Sequence, residues 1–477
     1  MRPRLALALL LFSLVASAHV GSPDVFLDGQ AGPYSLFVMV QPPAVIPGIA
    51  QIQVRVSAPG VTDVSATPLA ISGPGSTLAP VADSLTASTD DGQTFNGAVW
   101  LMQTGSMQIR IQARGSRGQG TVSVPLPALA QRSLAMPQAL GALLLGLAGL
   151  LVFGLVAITG AAVREARLEP GVTPDKGRRF HGRVVMGCVL ALVLALVWFG
   201  NSWWNSEARA YSAQIYKPLQ IAPSLDGTKL TLRITDPGWL PFRKIDDFIP
   251  DHDHLIHLYL IREPQMDRVS HLHPEMTGPG VFALDLPSMD AGKYWLYADV
   301  VHGDGFSETL MSNLVLPQIE GRPLSGDDAI GVASPIAASG VTTQEFHLAD
   351  GYTMRFDAPA LAAKRAQLFR FELLDLQGKR PEDMQLYMGM LGHAAFVKTD
   401  GSVFAHVHPS GSISMAALMM TGSSHNMPSH NMTEMDGVLP NAVQFPYGFP
   451  TPGHYRIFVQ MKHGITVETG VFDAYVT

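Results

Sequence analysis

Two runs of 21 residues, Leu140 to Gly160 and Val184 to Trp204, contain no charged side chain. At 1.5 Å rise per residue each makes a helix of about 30 Å, the thickness of a bilayer's hydrocarbon core. The pair sets the plan of the chain: a two-helix membrane anchor, with the rest outside the lipid. Arg164, Arg167, Lys176, Arg178, Arg179 and Arg183 crowd the short connection between the runs. Such a basic loop belongs in the cytoplasm. Trp198, Trp203 and Trp204 gather at the far end of the second run, as an interfacial aromatic belt does. Neither run carries Asp, Glu, Lys, Arg or His, the groups that transporters and proton relays place in the membrane.

The N-terminus has the form of a secretory signal. Arg2 and Arg4 precede an apolar stretch from Leu5 to Val15, and Ala16-Ser17-Ala18 supplies a cleavage site. Cleavage there makes His19 the first mature residue. Both flanking regions are therefore expected outside the cytoplasm of a bacterial inner membrane. The expected layout is a signal peptide (1–18), an N-terminal β-sandwich (19–134), a helix (135–161), the basic loop (162–183) and a second helix (184–205). A first His-rich β repeat (206–318), a linker (319–345) and a second, His/Met-rich β repeat (346–477) follow. The net charge of -7 argues against a nucleic-acid partner. The single cysteine, Cys188, falls inside the second apolar run, which excludes an intrachain disulfide and thiolate-rich zinc sites.

The soluble regions read as strands. "QIQVRVSA" and "SMQIRIQARG" place apolar residues at alternate positions, with Gly and Pro between runs. The predicted fold is mainly β: three sandwiches of immunoglobulin or cupredoxin type plus the helical hairpin.

From residue 206 onward the chain repeats itself. "DHDHLIHLYLI", "RVSHLHP" and "GKYWLYADVVHG" correspond to "MGMLGHAAFV", "SVFAHVHP" and "GHYRIFVQMKHG". His257 matches His393, His271 matches His406, His273 matches His408, and His302 matches His463. The step from the first His to His-x-His is 14 residues in one copy and 13 in the other. A His-x-His strand puts two imidazoles on one face, about 6.5–7 Å apart, where a third from a neighbouring strand can join them on an ion. The expected ligand sets are His257, His271, His273 and His302 in one site, and His393, His406, His408 and His463 in another. The alternatives are one site shared between the copies, or hydrogen-bonded histidines that pin a corner.

Just before each first histidine, His252 lies opposite Met388 and His254 opposite Met390. His and Met share an affinity for copper: thioether suits Cu(I), and imidazole suits both Cu(I) and Cu(II). Asp251 and Asp253 keep zinc open. The second copy also carries an insertion in which His-Asn-Met occurs twice, at His425–Met427 and His430–Met432. It reads as a copper-capturing loop or, alternatively, a Met-rich surface for a partner.

"NGAVWLMQTGSMQIRIQARGSRGQGTVSVPL" resembles the closing strands of YtkA-like domains, small extracytoplasmic sandwiches of bacteria. "GHAAFVKTDGSVFAHVHPSG" resembles a histidine-bearing module of bacterial membrane-anchored proteins associated with copper handling. The resemblance implies an immunoglobulin- or cupredoxin-like fold and a metal-trafficking role. A blue-copper centre does not follow, because that site uses a Cys thiolate. The expected function is copper binding for tolerance or for delivery to a cuproenzyme or an envelope metal-transport protein. Two alternatives stand: a copper oxidoreductase with tandem copper domains, and a structural module of the envelope.

Overall fold

The computed structural model describes residues 24–57, 59–240, 243–336, 340–422 and 438–477. The chain divides into a helical unit, Ala130–Tyr216, and a unit of strands formed by the residues up to Leu129 and from Lys217 onward.

The helical unit contains α1 (Gln138–Glu165) and α2 (Lys176–Ala213). Both are long and apolar enough to cross a membrane, with mean hydropathy of 2.6 and 2.3 in their richest windows. Asp175 caps α2 by accepting a hydrogen bond of 2.7 Å from the Arg178 amide. The helices meet at glycines. A Cβ on Gly160 would lie 2.5 Å from the Met186 side chain, and one on Gly182 would lie 3.3 Å from the Gly160 carbonyl. Small residues of this kind let helix backbones approach closely.

The strands form mainly antiparallel sheets in pairs. In the first repeat, a sheet containing Lys229–Thr235 and Val281–Asp285 faces one built from Ser307–Leu316, Gly292–Val301, His257–Glu263, Arg268–Leu272 and Ala329–Val332. In the second, a sheet containing Thr353–Asp357 and Gln367–Leu374 faces one built on Gly453–His463, His393–Lys398 and Phe404–Val407, with Thr466–Val476 paired to Gly453–His463. The stretch expected as a linker supplies Ala329–Val332, whose pairing with Arg268–Leu272 sets Ala329 opposite His271.

Strand alternation decides which side chains face where. Leu258, Leu260, Tyr294, Leu296, Ala298 and Val300 fill the core inside the first pair of sheets. Ala394, Phe396, Tyr455, Ile457, Val459 and Met461 do so in the second. The intervening residues face the other way and build a further core shared by the two repeats: Tyr259, Ile261, Val269 and Tyr297 from one, Ala395, Val397, Phe404 and Phe458 from the other. The histidine-bearing strands are therefore covered on both faces. His257 continues the Tyr259–Ile261 stripe, His271 and His273 the Val269 stripe, His393 the Ala395–Val397 stripe, and His406 and His408 the Phe404 stripe. All six histidines are thereby brought to the junction between the repeats.

The N-terminal strand Val25–Ala31 clamps the second His-x-His-Pro corner. The Asp28 amide donates to the Ser410 carbonyl at 2.8 Å, and the Phe26 amide donates to Ser412 Oγ at 3.0 Å. Gly411, at φ 140°, permits the approach, since a Cβ there would fall 2.0 Å from the Phe26 carbonyl oxygen.

Candidate metal centre

Eight histidines meet at the junction. Centroid separations chain them together: His257 to His271 5.3 Å, His271 to His273 4.7 Å, His257 to His406 5.3 Å, His393 to His406 5.4 Å, His406 to His408 4.6 Å and His393 to His408 5.0 Å. His252 lies 5.0 Å from His408 and 5.1 Å from His393, and His254 stacks on His273 at 3.8 Å. Two triads offer nitrogen atoms within 4.8 Å of one another: His257/His271/His273, and His252/His393/His408. The second triad crosses between repeats, because His252 comes from the first copy.

Turn geometry explains the crossing. Asp251 bridges to His254 through His252 and Asp253, which take φ of 49° and 68°; Tyr387 bridges to Met390 through Met388 and Gly389, at 50° and 76°. The turns are equivalent, so Met388 and Met390 occupy the positions of His252 and His254, and both methionines are buried.

The outer nitrogens are held by hydrogen bonds that fix the rings. His257 Nε2–H donates to the Asp251 carbonyl at 3.0 Å, and His408 Nδ1–H to the Ile413 carbonyl at 3.0 Å. His271 Nδ1–H donates to Gln460 Oε1 at 2.8 Å and His273 Nδ1–H to Asp328 at 3.1 Å, while His406 Nδ1 lies 3.2 Å from an Asp299 carboxylate oxygen. The exchange is reciprocal. Asp299 and Gln460 sit opposite His257 and His393 in their ladders, and each supports the matched histidine of the other repeat. Outward N–H bonds of this kind leave the inward nitrogen as a lone pair and orient it, as supports of metal-bound imidazoles do.

The inward side lacks partners. Among the described residues, no hydrogen bond reaches Nε2 of His273, His406 or His408, or either ring nitrogen of His393, which is completely buried. Each such atom costs about 1–3 kcal/mol. Where the rings do meet, His257 Nδ1 and His271 Nε2 face each other at 3.1 Å. Their outward bonds assign a lone pair to both, which is repulsive until a cation stands between. Two nitrogens on one ion, with bonds of about 2.0 Å, lie about 2.8–3.3 Å apart.

Six of the rings are held neutral at pH 7. Burial, reinforced by neighbouring imidazoles, holds His257, His271, His393 and His406 well below the ordinary value of 6.5, and burial also lowers His273 and His408. Burial likewise pushes Asp299 up to about 7.

His302 and His463 do not join the cluster. They continue the Tyr294–Val300 and Tyr455–Met461 stripes, which face the interior of each sheet pair, the opposite side from His-x-His. His302 gives one ring nitrogen to Asp247 and the other to Glu308, both at 2.9 Å. Burial lowers its pKa, but the hydrogen bonds and charges of Glu308 and Asp247 outweigh that and raise it. A protonated ring has no lone pair for a metal. His463 lies among Asp350, Asp383 and Glu468. His425, Met427, His430 and Met432 lie outside the described residues. Met415, which precedes that segment, is buried in the helix Met415–Met420.

Residues 347–477 match a family described as a domain of unknown function (DUF8832). No curated protein matches. Among solved structures, the tetra-tandem repeat of a large adhesion protein is 9% identical, over 90% of this chain and 71% of that one, with a TM-score of 0.16. A membrane-anchored protein from Corynebacterium diphtheriae is 10% identical, over 95% and 94%, at 0.15. Salmonella alpha-2-macroglobulin is 9% identical, over 97% and 24%, at 0.20. Overlaps this slight carry no argument about fold or function.

Proposed function

We propose that the two repeats together hold copper at one composite centre between them, in a membrane-anchored protein that serves copper tolerance or delivery outside the cytoplasm. The observation that carries the reading is His393: fully buried, with neither ring nitrogen hydrogen-bonded to a described group, and surrounded by imidazoles whose protons are turned outward. Apolar packing is served better by Leu at such a position, whereas a ligand requires this arrangement. Imidazole-only triads suit copper in both oxidation states, with zinc as the competitor. The His/Met sequence of the insertion and the methionines of the second turn favour copper. The basic loop, the signal sequence and the two apolar helices support the extracytoplasmic placement.

Metal analysis of the full-length, detergent-purified chain after anaerobic Cu(I) loading tests the proposal. Two tightly held copper ions beyond those of the insertion are expected, one per triad. Retention of none, with zinc equally excluded, contradicts it. A second reading, a copper oxidoreductase, is favoured by the proximity of the triads, since the rings of His252 and His257 lie 6.2 Å apart. Oxygen consumption by the loaded chain with an electron donor separates it from carriage, which requires no turnover.

A further inference from the structure

The two histidines left out of the cluster sit in matched surroundings that differ in one charge. His302 bridges to Phe248, and Asp247 precedes that residue; His463 pairs with Met384, and Asp383 precedes that one. Glu308 stands opposite Val300 and Glu468 opposite Met461, each partner two residues before its histidine. The sets Asp247/His302/Glu308 and Asp383/His463/Glu468 are thus equivalent by register. In the first repeat, Arg243, whose side chain is 3% exposed, places its guanidinium 3.6 Å from Glu308 and completes the charge balance. In the second, the neighbouring group is a carboxylate, Asp350, and no described Lys or Arg pairs with Asp350, Asp383 or Glu468.

The imidazole responds to the exchange. His302 Nε2 is closed by its 2.9 Å bond to Glu308. His463 is 8% exposed, and its Nε2 is buried without an aligned hydrogen bond, while Glu468 Oε1 lies 3.4 Å and Asp350 Oδ2 3.5 Å away. Donors around a tetrahedral zinc, with bonds of about 2.0–2.2 Å, lie about 3.3–3.6 Å apart. On the other ring nitrogen, Asp383 lies 3.4 Å from Nδ1 and turns the Nε2 lone pair toward the two carboxylates, the usual support of a metal-bound imidazole. Tyr352 stacks on the ring at 4.2 Å and fixes its plane. The crowding of negative charge also registers in Glu468, whose ionisation is pushed up by burial first and by Asp350 next.

We infer that His463, Glu468 and Asp350, with Asp383 as the positioning residue, form a second metal site that takes a divalent cation of the zinc class. The site is independent of the histidine cluster and differs from it in chemistry. One imidazole with two carboxylates suits Zn2+ and disfavours Cu(I). Asp350 is half-exposed, so the ion enters from solvent without opening the repeat junction.

The test is calorimetric titration of the full-length chain with Zn2+ after saturation with Cu(I), beside the Asp350→Asn, Asp383→Asn and Asp247→Asn variants. Asp350→Asn lies on an exposed turn and leaves folding intact. The wild-type chain should bind one zinc that Asp350→Asn holds about tenfold or more weakly, with Asp383→Asn weakened too, since loss of a ligand's support costs about 10–100-fold. Asp247→Asn, at the matched position of the first repeat, should bind as the wild type does. Unchanged zinc affinity in Asp350→Asn, or equal loss in Asp247→Asn, overturns the inference. Copper content is read in the same samples, so failure of the copper centre and failure of the zinc site are separate results.

Discussion

Replacing His393 by Leu should stabilise the metal-free protein while removing copper from the second triad. The imidazole is completely buried and has two ring nitrogens without a described partner. Taking both away recovers about 1–3 kcal/mol for each atom. Leu has similar volume, and fitting its branched end beside Tyr387 and His408 costs about 1–2 kcal/mol. The net change runs from about zero to a gain of about 5 kcal/mol. His302→Leu is the contrasting substitution. Its ring satisfies Asp247 and Glu308, and the Glu308 side chain is only 2% exposed. Removing it takes the nearer of two cationic partners from buried Glu308, leaving Arg243 at 3.6 Å, at a cost of about 1.5–3 kcal/mol. Denaturant melts of the chelator-treated chain measure both, with copper analysis on the same preparations. If metal-free His393→Leu is destabilised by more than about 1 kcal/mol, the imidazole is doing structural hydrogen bonding, and the reasoning that its idle nitrogens await a metal is wrong.

Acidification should weaken the metal-free fold. His257, His271, His393 and His406 have folded pKa values well below 6.5, so below that pH the unfolded chain binds more protons and stability falls with pH, by up to about 1.4 kcal/mol per pH unit for each group. Melts from neutral pH to about pH 5 should show this slope, and copper loading should keep or steepen it, because metal-bound rings take up no protons while the unfolded chain still does. His302 has the opposite sign, because its raised pKa makes its contribution full below 6.5 and lost as pH climbs through the folded value. His252→Asn, which tolerates the turn's positive φ, should lower copper content by one ion at the second triad; full content would remove the crossing ligand. Changing His425, Met427, His430 and Met432 to Ser should weaken Cu(I) capture in a competition assay with the fold unchanged, and equal affinity would take that segment out of the mechanism. A reporter active only outside the cytoplasm, fused after Thr477, should be active, and activity of a cytoplasm-only reporter there would contradict the topology.

The two apolar helices, the strand alternation and the residue-by-residue match of the copies can all be read directly from the sequence. What hid the true grouping is that the histidine strands are covered on both sides. "HLYLI" and "HAAFV" are apolar at every position after the histidine, the pattern of a strand buried on two faces, and such a pattern does not say which face a given histidine takes. Alternation along "GKYWLYADVVHG" correctly turns His302 inward with Tyr294 and Val300. Yet Asp299, Arg456 and Gln460 on the opposite face look solvated, when Arg456 and Gln460 are each 3% exposed at the repeat junction. That solvated look hides Asp299 and Gln460 as supports, although their matched positions in the two copies are a usable signal. The crossing of His252 depends on the packing of one repeat on the other, which no local pattern encodes. His463 and Asp350 are 113 residues apart in the chain, and only the packing of the folded repeat brings their side chains to 3.5 Å.

The most direct measurement is anomalous diffraction at the copper edge from crystals of the copper-loaded full-length chain. Two anomalous peaks between the repeats are predicted, one bonded to His257, His271 and His273 and one to His252, His393 and His408, with copper–nitrogen distances of about 2.0 Å. Copper absent from the junction, or found instead at His302 or His463, contradicts the account.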